Sequence, residues 1–220
     1  MNENVPFLPL RSEVASRFRH LLPGKNLYDL AREHSVTIER SGKKNKGWAG
    51  QTLEKIVHLE SGNLQIPDGL DFELKSTTLL KSPQGWKPKE TIKVTQLKPD
   101  LLLEESFETS ALWKKLQRLI VVGLEYPSPG ICHVVNINCI DIREPNLVNE
   151  IRSFWEEVQH HLLSGEMPRS PNLGTSEDLI QLRPAGDGKG FSVCPVTREH
   201  FPLRAFYATK RLISKILLLL

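Results

Sequence analysis

Cysteine is scarce in this chain, and long apolar runs are missing altogether. The three cysteines, Cys132, Cys139 and Cys194, form no C-x-x-C pair. An odd number cannot close a disulfide framework, so reduced thiols are expected and zinc-finger chemistry is excluded. The amino terminus, Met1-Asn-Glu-Asn-Val5, has neither a basic n-region nor an apolar h-region, and the apolar tail Leu217–Leu220 is far too short to span a bilayer. A soluble, cytoplasmic protein with no membrane partner is expected. There is no excess of one charge either: 29 Lys and Arg stand against 26 Asp and Glu, a net +3, so any anionic partner must be held by a local patch. No phosphate-cradling Gly-rich motif occurs, which excludes a nucleotide cofactor, and none of the seven histidines makes a His-x-x-x-His metal pair. No internal repeat or low-complexity tract is found. What is present is ordinary globular composition, 39% apolar and 25% charged over 220 residues, enough for a single domain with its own core.

Hydrophobic spacing organises the chain. Leu10, Val14, Phe18 and Leu21 recur at helical intervals and Gly24 follows as a stop; a short second helix holds Leu27, Leu30 and Ala31. Arg40 to Gly47 reads as an exposed basic loop, leading through Gly47-Trp48-Ala49-Gly50 into a third helix with Leu53, Ile56 and Val57 on one side. Four strands are then expected, at Leu70–Thr77, Thr91–Leu97, Leu116–Val122 and Ile131–Ile142, forming a mixed central sheet. Asn146 to Leu163 returns to helical spacing. Ser164 to Pro195 is rich in Gly, Pro, Ser and Asp with a short strand at Leu179–Leu182, and a closing helix runs from about Ala205. Helices on either side of a block of strands predict an α/β or α+β sandwich with a mixed sheet. The tryptophans Trp48, Trp86, Trp113 and Trp155 read as core or loop anchors rather than base-stacking platforms.

The chemistry is concentrated in Pro67-Asp68-Gly69-Leu70-Asp71-Phe72-Glu73-Leu74-Lys75. On a strand, Phe72 and Leu74 face the core while Asp71, Glu73 and Lys75 share the other face. Asp68 lies across a Pro-x-Gly turn, within hairpin reach of Glu73. Two carboxylates and an ammonium in one cleft are the parts needed to hold a hard divalent cation and to poise a water against a phosphodiester. The same Glu-x-Lys pattern also describes a solvated strand face with a weak ion pair, and spacing alone does not choose between them.

Gly47-Trp48-Ala49-Gly50-Gln51-Thr52-Leu53-Glu54, followed by Pro67-Asp68 and Glu73-Leu74-Lys75-Ser76-Thr77, resembles the active-site order of the MutH family, which comprises the mismatch-repair strand-nicking endonuclease and related type II restriction enzymes. Phe107-Glu108-Thr109-Ser110, Lys115-Leu116-Gln117-Arg118, Trp155-Glu156-Glu157, Gln181-Leu182-Arg183-Pro184 and Phe206-Tyr207 to Lys210 each resemble a family block in the same order. The resemblance implies a PD-(D/E)xK restriction-endonuclease-like fold and Mg²⁺-dependent cleavage of double-stranded DNA. It implies one domain over 1–220, with an N-terminal arm over about 1–100 carrying the carboxylates, a C-terminal arm over 101–220 carrying the recognition loop, and a DNA cleft between them. By position, Asp68 and Glu73 would be metal ligands, Glu54 a helix-borne acid completing the acidic cluster, Lys75 the catalytic lysine and Lys115 a second active-site lysine. The segment from Asp68 to Glu73 is shorter here than in the mismatch-repair enzyme, which leaves Asp71 as a rival to Asp68.

The same resemblance implies the DNA contacts. Lys46 falls on a phosphate-contact position, with Lys43 and Lys44 extending the patch. Arg183-Pro184 resembles the base-reading segment, and arginine suits bidentate bonding to guanine. Tyr207 falls on a tyrosine that senses adenine methylation. After Arg-Pro the mismatch-repair enzyme carries a lysine where this chain has Ala185-Gly186; alanine cannot donate that hydrogen bond, so a different target and a type II restriction role are expected. The partner of such an enzyme would be a cognate DNA methyltransferase system. The alternatives are a methyl-directed nicking enzyme activated by a MutL-type protein, docked on the amphipathic last helix, and a DNA binder that does not cleave.

Overall fold

The computed structural model describes residues 8–40, 42–59, 65–170, 172–186 and 190–218. The Met1–Val5 terminus, Ser41 of the basic segment and the last residues of the apolar tail, all read above, lie outside them. In chain order the elements are α1 (Arg11–Leu21), α2 (Leu27–Glu33), β1 (Glu39–Arg40), β2 (Lys43–Lys44), α3 (Trp48–Ile56), β3 (Glu73–Ser82), β4 (Gly85–Pro88) and β5 (Ile92–Gln96). There follow α4 (Pro99–Glu104), a 3-10 turn (Phe107–Thr109), α5 (Ala111–Leu116), β6 (Arg118–Ser128), β7 (Ile131–Asp141) and α6 (Pro145–Leu163). The chain ends with β8 (Ile180–Pro184), β9 (Phe191–Val193), β10 (His200–Pro202), β11 (Arg204–Ala208) and α7 (Lys210–Leu218). The α/β class with a mixed sheet and flanking helices is as expected. No helix among the described residues is long and apolar enough to cross a membrane.

The chain divides into two compact units, each built from two segments: Met1–Trp86 with Arg118–Ile140, and Lys87–Gln117 with Asp141–Leu220. The first unit carries a sheet of order β4-β3-β6-β7. Its central pair, β3 and β6, is parallel, with Glu73 opposite Leu119 and Lys75 opposite Val121. The β3-β4 and β6-β7 connections are too short for a crossover, so both outer pairs are hairpins and the sheet is mixed. Apolar residues on one face of this sheet, among them Leu74, Ile120 and Val122, join Phe18, Leu27 and Leu53 of the helices in one core. Trp48 is buried and stacks on Tyr28 with ring centroids 4.4 Å apart. Opposite Thr77, Gly123 allows a close approach: a Cβ there would overlap Asn136 Oδ1 and Leu79 Cδ1.

In the second unit β11 lies between β5 and β8 and is antiparallel to both. Helix α6 buries Leu147, Ile151, Phe154, Trp155, Val158 and Leu162, the face its spacing predicted. Leu203 joins β8 to β9: its carbonyl accepts from Ala185 N–H at 2.8 Å and its own N–H donates to Gly190 O at 3.0 Å.

Four expectations change. Segment 91–97 does not join the sheet of β3, β6 and β7; it forms β5 and pairs with β11, a long-range choice that local pattern cannot reveal. Leu116 belongs to α5, because Ser110 caps that helix by accepting from Trp113 N–H. The basic segment is a small β1-β2 hairpin turning at Gly42, whose φ is +72°. The closing helix starts at Lys210 rather than near Ala205: Arg204–Ala208 is a central strand, and Thr209 Oγ1 accepts from Leu212 N–H to begin α7.

Candidate active site

The turn before β3 is closed by its own backbone. Gly69 N–H donates to Phe72 O at 3.0 Å, and a Cβ at position 69 would overlap the Phe72 ring, which is fully buried. Closing the turn brings Asp68 beside the start of the strand: Asp68 Oδ2 accepts from Leu74 N–H at 3.0 Å, and Glu73 Oε2 accepts from Asp68 N–H at 3.1 Å. Glu73 Oε1 pairs with Lys75 Nζ. Glu73 is 0% exposed, whereas the Lys75 side chain retains 22% exposure. A buried carboxylate is tolerated only when its charge is met, and here an ammonium and a backbone N–H meet it. Asp68, Glu73 and Lys75 are therefore assembled within one turn and the first residues of one strand.

Asp71 is turned elsewhere. Its Oδ1 accepts from Arg11 N–H at the start of α1 at 2.9 Å, and its Oδ2 pairs with Arg118 at 2.8 Å. The expectation that Asp71, Glu73 and Lys75 share one exposed face is corrected on two counts. The strand begins only at Glu73, so alternation does not extend back to Asp71, and Glu73 lies inside rather than on a surface. Leu70 N–H also reaches Pro9 O at 3.3 Å, so two successive residues tie the turn to the start of α1 and the segment just before it.

The two carboxylates fit a small hard cation. Mg²⁺ takes oxygen ligands, keeps several waters and is commonly held by one or two carboxylates plus substrate phosphate. Among the described residues no three His, Cys, Asp or Glu side chains converge as a metal-holding group, so Glu54 is not gathered with Asp68 and Glu73 into a triad. Glu54 lies on α3, which packs against β3. Lys115 lies in the last turn of α5 in the second unit and is 5% exposed, an unusual position for a lysine. Lys46 is exposed just before α3, where Asn45 shapes the entry by accepting from Gly47 N–H at 3.0 Å and donating to Thr37 O at 2.8 Å.

The second unit brings Arg183 and Tyr207 together, the two residues that the resemblance leads one to expect at base edges. Arg183 lies in β8 and not in a loop, with Pro184 ending the strand; Tyr207 lies in β11 and not in a helix. Arg183 pairs with Ala205 in register, and its side chain crosses to Tyr207, placing the guanidinium carbon 4.0 Å from the ring centroid. Its NH2 group donates to the Thr91 hydroxyl. The contacts of Thr91 with Arg183 and of Arg118 with Asp71 have no counterpart among the sequence expectations. The first follows from the pairing of β5 with β11, for which the chain carries no local signal. The second could have been sought among basic residues at the start of the strand paired with β3.

Comparison with known proteins matches residues 60–149 to the model of the family described as "DNA mismatch repair enzyme MutH". Relatives named DNA mismatch repair protein MutH include one from Shewanella baltica strain OS185, 23% identical over 83% of this chain and 78% of the relative. Another, from Actinobacillus pleuropneumoniae serotype 5b strain L20, is 24% identical over 89% of this chain and 88% of the relative. A solved complex of restriction endonuclease MvaI with its cognate DNA substrate aligns at 13% identity, over 86% of this chain and 94% of that one, with a TM-score of 0.37. The resemblance to the MutH family read from the motif order is borne out by the family model and the relatives.

Proposed function

We propose that this chain, a MutH-like endonuclease, is a Mg²⁺-dependent, sequence-specific DNA endonuclease that hydrolyses phosphodiester bonds in duplex DNA, and that its role is that of a type II restriction enzyme. The observation that carries the reading is the closure of Asp68, Glu73 and Lys75 on one another through the Asp68 N–H, the Leu74 N–H and the Glu73-Lys75 ion pair. A turn with Glu73 buried against Lys75 is not a solvated strand face.

Asp68 and Glu73 would hold the Mg²⁺, which when bound supplies Lewis-acid polarisation of the phosphate and lowers the pKa of attacking water. Lys75 donates one hydrogen to Glu73 and keeps others to orient that water or to meet negative charge developing on phosphorus. Water adds at phosphorus, one P–O ester bond breaks, and the departing oxygen takes up a proton. Glu54, on the helix packed against β3, would act as an accessory acid from outside the Asp68 and Glu73 pair. Lys46 would contact phosphate, while Arg183, Pro184 and Tyr207 would meet base edges, the division of labour general to protein–DNA recognition. The restriction role rests on Ala185-Gly186, which offer no side-chain donor after Arg183-Pro184.

The second reading is methyl-directed strand nicking in mismatch repair, with a MutL-type partner. It is favoured by the names of the relatives, which are mismatch-repair proteins. Purified protein with Mg²⁺ and plasmid separates the two. Linear product with defined ends from the chain alone supports restriction. Nicked product that depends on a MutL homologue and ATP supports repair. Binding without cleavage under every condition contradicts both.

A further inference from the structure

We propose that Thr91 is a positioning residue for base recognition. Its hydroxyl holds the Arg183 guanidinium over the Tyr207 ring in one orientation and thereby fixes which hydrogen-bonding edge Arg183 presents to a guanine in duplex DNA. The inference deepens the proposed function and rests on the reading of Arg183 as a base contact.

The geometry spans three strands. Arg183 leaves β8, passes over Tyr207 of β11, and ends on Thr91, the residue before β5. Register aids the crossing: β11 pairs with β5 as Phe206 with Thr95 but as Tyr207 with Lys93, so a bulge falls just before Tyr207. Bulges of this kind re-aim a side chain beside functional sites. Arg183, Tyr207 and Thr91 are all partly exposed, so the assembly is held together yet accessible.

A guanidinium carries its N–H donors in a planar fork, and a bidentate contact to guanine uses two neighbouring donors. Contact with the ring face holds the guanidinium carbon over Tyr207 but does not set the rotation of the fork, because the ring attracts the charge as a whole. The Thr91 hydroxyl removes that freedom. It accepts from NH2 alone, so at least one two-donor edge stays available, and the identity of that edge is set. Valine, which matches threonine in shape, would keep the packing and lose the hydrogen bond.

The test compares wild type, Thr91→Val, Thr91→Ser and Arg183→Ala on duplex oligonucleotides bearing the cleavage site mapped with wild-type protein, and on the same duplexes with single base-pair changes. Thr91→Val is expected to lower discrimination between the mapped site and its singly changed versions by about 10- to 150-fold, the effect of one hydrogen bond to a charged group. It should raise KM on the mapped site and leave kcat within about 3-fold, because the chemistry is carried elsewhere. Thr91→Ser, which keeps the hydroxyl, should restore wild-type discrimination. Unchanged discrimination in Thr91→Val, or equal loss in Thr91→Ser, would overturn the proposal. Should circular dichroism show Thr91→Val unfolded, Thr91→Ala takes its place under the same criteria. Loss in Arg183→Ala without loss in Thr91→Val removes only the role of Thr91. No loss in Arg183→Ala removes the base-contact reading and this proposal with it, while Mg²⁺-dependent cleavage stands.

Discussion

Asp71 and Arg118 form an ion pair at 2.8 Å, and the other Asp71 oxygen accepts from the Arg11 backbone N–H at the start of α1. Both oxygens of the one carboxylate that could rival Asp68 are thereby engaged in tying the active-site turn to a helix and to β6. Asp68, by contrast, points one oxygen at Leu74 N–H beside buried Glu73. The two aspartates should separate by experiment. Asp68→Asn is expected to reduce cleavage by at least about 10²-fold with little change in melting temperature. Asp71→Asn should lower the melting temperature and retain Mg²⁺-dependent cleavage within about 10-fold, since a partly exposed ion pair is worth ~0–1 kcal/mol. Cleavage rates and thermal melts of the two variants measure this directly.

Gly123 should not tolerate a side chain. Gly123→Ala would drive its Cβ into Asn136 and Leu79 on neighbouring strands of a close-packed sheet. A loss of about 1–3 kcal/mol is expected by urea denaturation, the range for overpacking a core. Equal stability of Gly123→Ala and wild type would mean that Asn136 can move aside.

Arg204 is 2% exposed, and burial holds its pKa below the ordinary arginine value. Its guanidinium donates to Met167 O at 3.1 Å, to Met167 Sδ at 3.3 Å and to Ser170 O, while Nε is buried with no partner among the described residues. Lysine cannot reproduce that fork and would still bring a charge inside. Arg204→Lys is expected to cost about 2–4 kcal/mol, and Arg204→Met, which removes the charge, should cost less. Chemical denaturation ranks the two.

Glu144 should make α6 sensitive to acid. Its carboxylate accepts from Asn146 N–H at 3.0 Å and Leu147 N–H at 2.8 Å, and these bonds, Asn146 first, hold its pKa below the ordinary glutamate value. A folded pKa below the unfolded one gives stability that is full above the unfolded value, ~4.3, and is lost as pH falls through the folded value. Glu144→Ala should therefore melt below wild type at pH 7, and the two curves should converge as pH falls through the folded value. Melting temperatures across that range check the sign.

Local pattern made much of the first unit and α6 legible. Phe18, Trp48, Leu53 and the α6 face were readable because helical burial follows the 3.6-residue period. The motif order also brought out Asp68, Glu73 and Lys75, since a short turn and one strand suffice to gather them. What escaped depends on partners distant in sequence. Segment 91–97 and segment 204–208 each have strand-forming composition, but that they pair with each other is a tertiary choice, and together with the β8–β11 pairing it brings Thr91 beside Arg183. Tyr207 was assigned to a helix because the apolar residues after it continue into α7 without a Gly or Pro between. The break is made by Thr209, a cap too weak to read in isolation. Asp71 was misplaced because alternation was extended two residues past the true start of β3.

The central claim is that Asp68, Glu73 and Lys75 form a metal-dependent phosphodiesterase site. Supercoiled plasmid incubated with wild-type protein or Lys75→Ala, in Mg²⁺ and in EDTA, tests it most directly. The account predicts cleavage at defined positions by wild type in Mg²⁺ alone, and a loss of about 10²–10³-fold in Lys75→Ala at a temperature where circular dichroism shows the variant folded, its melting temperature lowered because buried Glu73 loses its counter-charge. Cleavage by wild type that survives EDTA, or equal cleavage by Lys75→Ala, would contradict it.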